Sequence, residues 1–243
     1  MPLISSTPFG SICVNQTCEQ FGTITFPDTD YKLQNNLWGL GSPITEQCVC
    51  AIGTNGFSVD FSNHNKPTTG APAAFPSVFK GCHWGDCTTA SGFPFLGSSI
   101  TTADFSWQFN PIGTGAWNAV VEAWFKTNAT PGQPDGAEIM LWFDDLGGPV
   151  PGGTQVDTAV SLDGATWDVY FTNATGSPSW NFVTYKRTTL TTTPNVDLLP
   201  FFTDAVNRGY LNLSWYMLGV EAGFEIWQGG AGLSAPLFTI DVS

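Results

Sequence analysis

Positive charge is scarce in this chain: seven Lys and Arg stand against twenty Asp and Glu across 243 residues, a formal net charge of −13. A protein that grips nucleic acid needs a basic stripe to release counterions from phosphates, and seven scattered cations cannot supply one. The same shortage disfavours anionic membrane surfaces, and no stretch approaches the roughly eighteen apolar residues of a membrane span. Charge of either sign is sparse, at 11% of residues against roughly a quarter in an average soluble protein. The surface must therefore be mostly Thr, Ser, Asn and Gly, which suits an extracellular protein. Histidine is limited to His64 and His83, each alone, and no pair of C-x-x-C-like clusters is present, so no metal site is expected. Residues 1–12 lack the cationic start and long apolar run of a secretory leader, and read as an N-terminal extension of a mature secreted chain. Internal repeats and clear linkers are missing too, so residues 1–243 are expected to form one domain.

What is present begins with six cysteines, at positions 13, 18, 48, 50, 82 and 87. An even count beside four N-x-[ST] sequons, at Asn15, Asn128, Asn173 and Asn212, points to an oxidising compartment and to disulfides. Gly and Pro cluster at 39–43, 67–76, 130–136 and 147–153. Between these clusters lie short runs rich in Trp, Phe, Val and Thr that alternate with period two, the pattern of many antiparallel strands in a sandwich or barrel. Residues 195–209 differ. Leu198, Leu199, Phe202 and Val206 are spaced three and four apart, Asn195 or Asp197 can cap the start, and Gly209 fits just past the end. Pro200 is tolerable only in the first turn, so one helix is expected there.

Period two also assigns faces. In residues 137–143, Ala137, Ile139, Leu141 and Phe143 share a face that must be core, and Glu138, Met140 and Trp142 share the other. In 118–125, Glu122 and Trp124 oppose Ala119, Val121, Ala123 and Phe125. In 220–227, Glu221, Gly223, Glu225 and Trp227 oppose Val220, Ala222, Phe224 and Ile226. The chain has only six Glu, and four of them sit in these strands although Glu is disfavoured there. A single strand glutamate usually points to solvent. Each of these shares its face with tryptophan, which fits a sugar cleft where carboxylates do chemistry and indoles stack on rings.

The motifs CEQF at 18–21, NNLWG at 35–39, GCHWGDC at 81–87, EIMLW at 138–142 and VEAGFEIWQGGAGL at 220–233 resemble, in order and spacing, the family 12 glycoside hydrolases, in particular the bacterial branch. That resemblance implies an all-β fold: a two-sheet antiparallel β-jelly-roll sandwich with one α-helix and a long concave cleft. It implies Glu138 as nucleophile, Glu221 as acid/base, and Met140 beneath the sugar at the cleavage point. Asn36 and Trp38 would hold glucose units on the non-reducing side, with His83 and Trp84 on a cleft-side loop clipped by Cys82–Cys87. Cys18–Cys48 matches an N-terminal disulfide of the family. Cys13 and Cys50 fall outside the pattern but flank that pair, and can form a third bridge between neighbouring strands. Two departures stand out: Glu122 where the family usually has Asp, and Phe21 where it often has Trp.

The implied activity is a retaining endo-β-1,4-glucanase acting on a glucan polysaccharide, without cofactor or metal, as a monomer. For the two roles to separate, the Glu221 carboxyl should be raised by its neighbours. His83 is either a substrate contact or a hydrogen-bonded surface residue, and Glu225 either supports substrate or is solvated. Trp142 and Trp227 touch ligand or pack between strands. A xyloglucan-specific hydrolase of the same family and a non-catalytic glycan-binding sandwich are the alternatives. A family 11 xylanase ranks below both, because that family's nucleophile strand reads differently.

Overall fold

The computed structural model describes residues 13–41, 43–174 and 179–243; the expected N-terminal extension, residues 1–12, lies outside them. Alternation of side chains drives the strands into two sheets. One has six strands, in the spatial order Cys13–Thr17, Gln47–Ile52, Gly56–Ser62, Ser234–Val242, Ala103–Asn110 and Asn195–Asp197. The other is larger. Its main path runs Thr154–Leu162, Ala165–Asn173, Asn181–Arg187, Ala137–Leu146, Ala116–Lys126, Tyr216–Gly229, Ser77–His83, Lys32–Gln34 and Thr23–Thr25. Three two-residue strands, His64–Asn65, Asp86–Cys87 and Phe95–Leu96, flank it.

The inner faces meet in one hydrophobic core. Ala119, Val121, Ala123, Phe125, Ile139, Leu141, Phe143, Val220, Ala222, Phe224 and Ile226 all lie in it, as period two requires. The six-stranded sheet answers with Val49, Phe57, Val59, Phe105, Trp107, Phe109, Phe238 and Ile240. Phe224 is the pin of this interface: its ring lies 5.7 Å from Phe57, 5.8 Å from Trp107 and 5.9 Å from Phe109. Register shifts at Ala119/Val120, Ala116/Trp117 and Trp124/Phe125 bend the central strands of the larger sheet, as bulges do.

Two expectations are adjusted. The sandwich is not wholly antiparallel: Ala137–Leu146 and Asn181–Arg187 run parallel. After Ala137–Leu146 the chain goes to the sheet edge at Thr154–Leu162 and returns through two antiparallel partners, which leaves the third strand pointing the same way as the first. The helix is shorter than its apolar spacing suggests, at Leu199–Asn207. Asn195–Asp197 instead pairs with Ala103–Asn110 as an edge strand. Pro200 lies in the first turn, the Asp197 carboxylate accepts the Leu199 N–H at 2.9 Å, and Gly209 follows the helix at φ +77°. Phe201, Phe202 and Ala205 bury the helix against the core.

All six cysteines are bonded, as Cys13–Cys50, Cys18–Cys48 and Cys82–Cys87. Cys13 and Cys50 belong to adjacent strands. Cys82 and Cys87 face each other across the small hairpin that presents His83 and Trp84.

Candidate active site

Pairing register assembles the acids. On the outer, concave face of the larger sheet, Glu122 of Ala116–Lys126 lies opposite Met140 on one side and Glu221 on the other. Trp124 lies opposite Glu138. Glu138 and Glu221 are thus not on facing strands across the sandwich but on one sheet, either side of the strand that carries Glu122. Period two fixes which face a side chain takes, and says nothing of which strands become neighbours. The strand of Glu122 adjoins those of both.

All four strand glutamates are buried: Glu221 is 1% exposed, Glu122 2%, Glu138 4% and Glu225 9%. Removing four carboxyls from water in one small region forces them to share few negative charges. Their partners decide which ones ionise. Glu221 has three donors: Ser77 Oγ at 2.7 Å to Oε2, Trp124 Nε1 at 2.6 Å to Oε1, and His83 Nδ1 at 2.9 Å to Oε1. Burial pushes its carboxyl up, but the charge of His83 and these hydrogen bonds outweigh burial and hold it below the ordinary value. Glu138 has one donor among the described residues, Trp180 Nε1 at 2.9 Å to Oε2. Burial therefore wins there, aided by Glu225 and Glu221, and holds the carboxyl well above the ordinary value. Glu122 is raised by burial and then by Glu138, Glu221 and Glu225. Glu225 is pushed up to about 7 by burial, against the opposing hydrogen bond from the Asn118 amide.

The direction at Glu221 is opposite to the expected one. The cause is His83, which is not a surface residue. It is buried, and its ring bonds the acid.

The cleft above these groups has a volume of about 1290 Å³, large enough for a polymer segment. Asn36, Trp38, His83, Trp84, Trp142 and Glu225 all border it, as do Glu122 and Glu138. Phe21 also borders it and is half-exposed. Glu221 and Met140 lie one layer behind. Met140 packs with Trp142, Trp227, Val120 and Phe75 in a small second cluster beneath the cleft, and Trp142 Nε1 points at its sulfur. Trp142 and Trp227 are almost wholly buried, so they act chiefly as floor, with Trp227 Nε1 bonded to the Gly70 carbonyl at 2.6 Å. Glu225 is not solvated: Asn118 bonds both its carboxylate and its backbone N–H.

The structure adds residues that alternation alone does not single out. Ser77 holds Glu221, Asn118 holds Glu225, and Trp180 holds Glu138. Trp84, Trp124 and Trp180 form one cluster over the acids, with ring centroids 4.8, 6.0 and 6.3 Å apart. Trp180 precedes a strand and lies outside any alternating run, so it carries no sequence signal beyond being tryptophan. Gln34, beside Ser77 in register, also borders the cleft, and its Oε1 is buried without a partner among the described residues.

Comparison with known proteins fits this geometry. A family model described as Glycosyl hydrolase family 12 matches residues 29–243. The chain is similar to the solved endoglucanase Cel12A of Rhodothermus marinus, at 38% identity with TM-score 0.86, covering 95% of this chain and 99% of that one. It is 27% identical over 224 residues to Endoglucanase S of Pectobacterium parmentieri, covering 89% of this chain and 83% of the relative. It is 28% identical over 233 residues to a xyloglucan-specific endo-β-1,4-glucanase of Emericella nidulans, covering 93% and 90%.

Proposed function

The chain belongs to glycosyl hydrolase family 12, and from that premise we propose that it is a retaining endo-β-1,4-glucanase, with Glu138 as nucleophile and Glu221 as acid/base. The observation that carries the reading is the pair of buried carboxyls flanking one central strand at the base of an open aromatic cleft. Glu138 is level with Trp124 and Glu221 with Glu122, so the two backbone positions lie about 9.5 Å apart across the sheet and about 7 Å apart along it, roughly 12 Å in all. Double displacement needs the carboxyls about 5–5.5 Å apart, so in this reading both side chains reach toward each other over Glu122.

Glu138 attacks the anomeric carbon through Oε1, the oxygen to which no described residue donates, while Oε2 stays on Trp180. The new C–O bond forms as the glycosidic bond breaks, and Glu221 gives its proton to the departing oxygen. Glu221 then takes a proton from water, which attacks the same carbon and frees the Glu138 carboxylate. Two inversions give net retention. His83 Nδ1 lies 2.9 Å from Oε1 of Glu221, within hydrogen-bond reach of the acid. Glu221 is covered in the free protein, with the Trp124 indole bonded to its Oε1.

In this reading the working unit is a monomer with a single catalytic domain. Three disulfides and a sparsely charged surface suit secretion. The test is covalent. A 2-deoxy-2-fluoro cellobioside with a good leaving group should label the peptide containing Glu138, and NMR of early products should show the β-anomer. Label on another residue, or an α-product, overturns the assignment. Rates on carboxymethyl cellulose, mixed-linkage glucan and xyloglucan then rank the polymers.

A further inference from the structure

We propose that Trp180 is a positioning residue for the nucleophile: its indole N–H fixes Oε2 of Glu138 and leaves Oε1 as the attacking atom. This rests on the reading of Glu138 given above. An indole N–H only donates, so it supports a carboxylate and offers nothing to a protonated carboxyl.

Trp180 is built to hold this position. Its carbonyl accepts the Ala174 N–H at 2.8 Å, and the next residue, Asn181, is pinned twice, by backbone to Gly136 at 2.9 Å and by side chain to the Tyr210 carbonyl at 2.7 Å. The indole meets Trp84 and Trp124 edge-on, which sets its plane. The strand it leads into runs parallel to that of Glu138, with Phe182 level with the acid.

The two catalytic acids differ in how many donors they have. Trp124 does for Glu221 what Trp180 does for Glu138, but Ser77 and His83 help it. Glu138 relies on one donor among the described residues. Around it stand Glu122 on the central strand, Glu221 and Glu225 on the next, and His83 on the hairpin. The charged residue on its other side, Lys186, lies four positions along from Phe182 and is paired with Asp145 at 2.6 Å. Burial and the neighbouring carboxylates favour the protonated, inert form of Glu138, and Trp180 is the opposing influence.

The test is Trp180→Phe, which keeps a ring and removes the donor at a partly exposed position. Two profiles against pH are read: kcat/KM on a soluble aryl cellobioside, and the rate of labelling by the fluoro-cellobioside. Losing a hydrogen bond to a charged group should raise the acidic limb of both by about one pH unit, with kcat down about tenfold below the new limb. KM should stay within about twofold. An unmoved acidic limb with a raised KM makes Trp180 a stacking residue only and overturns the proposal. Trp180→Ala reads the same limb if the Phe ring finds another seat. Labelling on Glu138 in these variants keeps the tests apart: its absence from the parent protein sinks the nucleophile assignment, whatever Trp180 does.

Discussion

Strands Ala116–Lys126, Ala137–Leu146 and Tyr216–Gly229 bury both of their faces, and the two faces are opposites in kind. Toward the six-stranded sheet they present Ala, Val, Ile, Leu and Phe, packed into the main core. Toward the cleft they present Glu122, Glu138, Glu221 and Glu225, no less hidden from water than many core residues. Apolar side chains gain from that concealment, whereas carboxyls lose by it unless protonated or bonded. The sandwich is thus held together on one side of each strand and loaded with unfavourable charge on the other. Burial alone does not distinguish a stabilising face from a working one; the partners of each buried group do.

The comparison can be broken in decreasing order of effect. Glu138→Gln or Glu221→Gln should lower kcat/KM by about a thousandfold or more while leaving Tm unchanged or higher, because each removes an ionisable group from the loaded face. Activity near the parent level in either would show that the cleft face is not the working one. Phe224→Ala, one residue from each of two cleft positions but on the core face, should cost about 3–5 kcal/mol in denaturant unfolding and leave kcat of the folded protein unchanged.

Glu225→Gln addresses pH. The folded carboxyl holds its proton up to about 7, whereas in the unfolded chain it ionises near 4.5. The folded state therefore binds more protons in that window. Stability from this group is fully present below 4.5 and is lost as pH rises through 7, by at most about 3 kcal/mol. The variant should flatten the fall of Tm between those pH values, and an unchanged slope would remove Glu225 from the loaded set. Glu122→Asp is the mildest change. Shortening the shared neighbour should move an apparent pKa in the rate profile by a fraction of a pH unit, with little change in Tm.

Much of this was legible in the residues. Alternation placed Glu122, Glu138, Glu221 and Glu225 opposite the core, and Pro200 with Gly209 bracketed the helix. Strand neighbours were not legible, because pairing is decided by long-range topology; hence the two acids share one sheet. Nor was the direction at Glu221, which depends on a contact with His83 across 138 residues of sequence. Asn195 reads as a helix cap, yet it extends an edge strand opposite Ser106, since tertiary pairing overrides a local signal; Asp197 pairs with Asp104 and still accepts the Leu199 N–H at the helix start.

The Cys82–Cys87 bond is the shortest-range of the three disulfides, and it lies beside the cleft. A bond between residues five apart restrains the unfolded chain by about 2 kcal/mol, against about 4 kcal/mol for Cys13–Cys50 across 37. Its contribution is mostly local: it holds the hairpin that sets His83 beside Glu221 and carries Trp84, whose backbone is at φ +44°. That bond therefore fastens the cleft-side hairpin more than it fastens the sandwich.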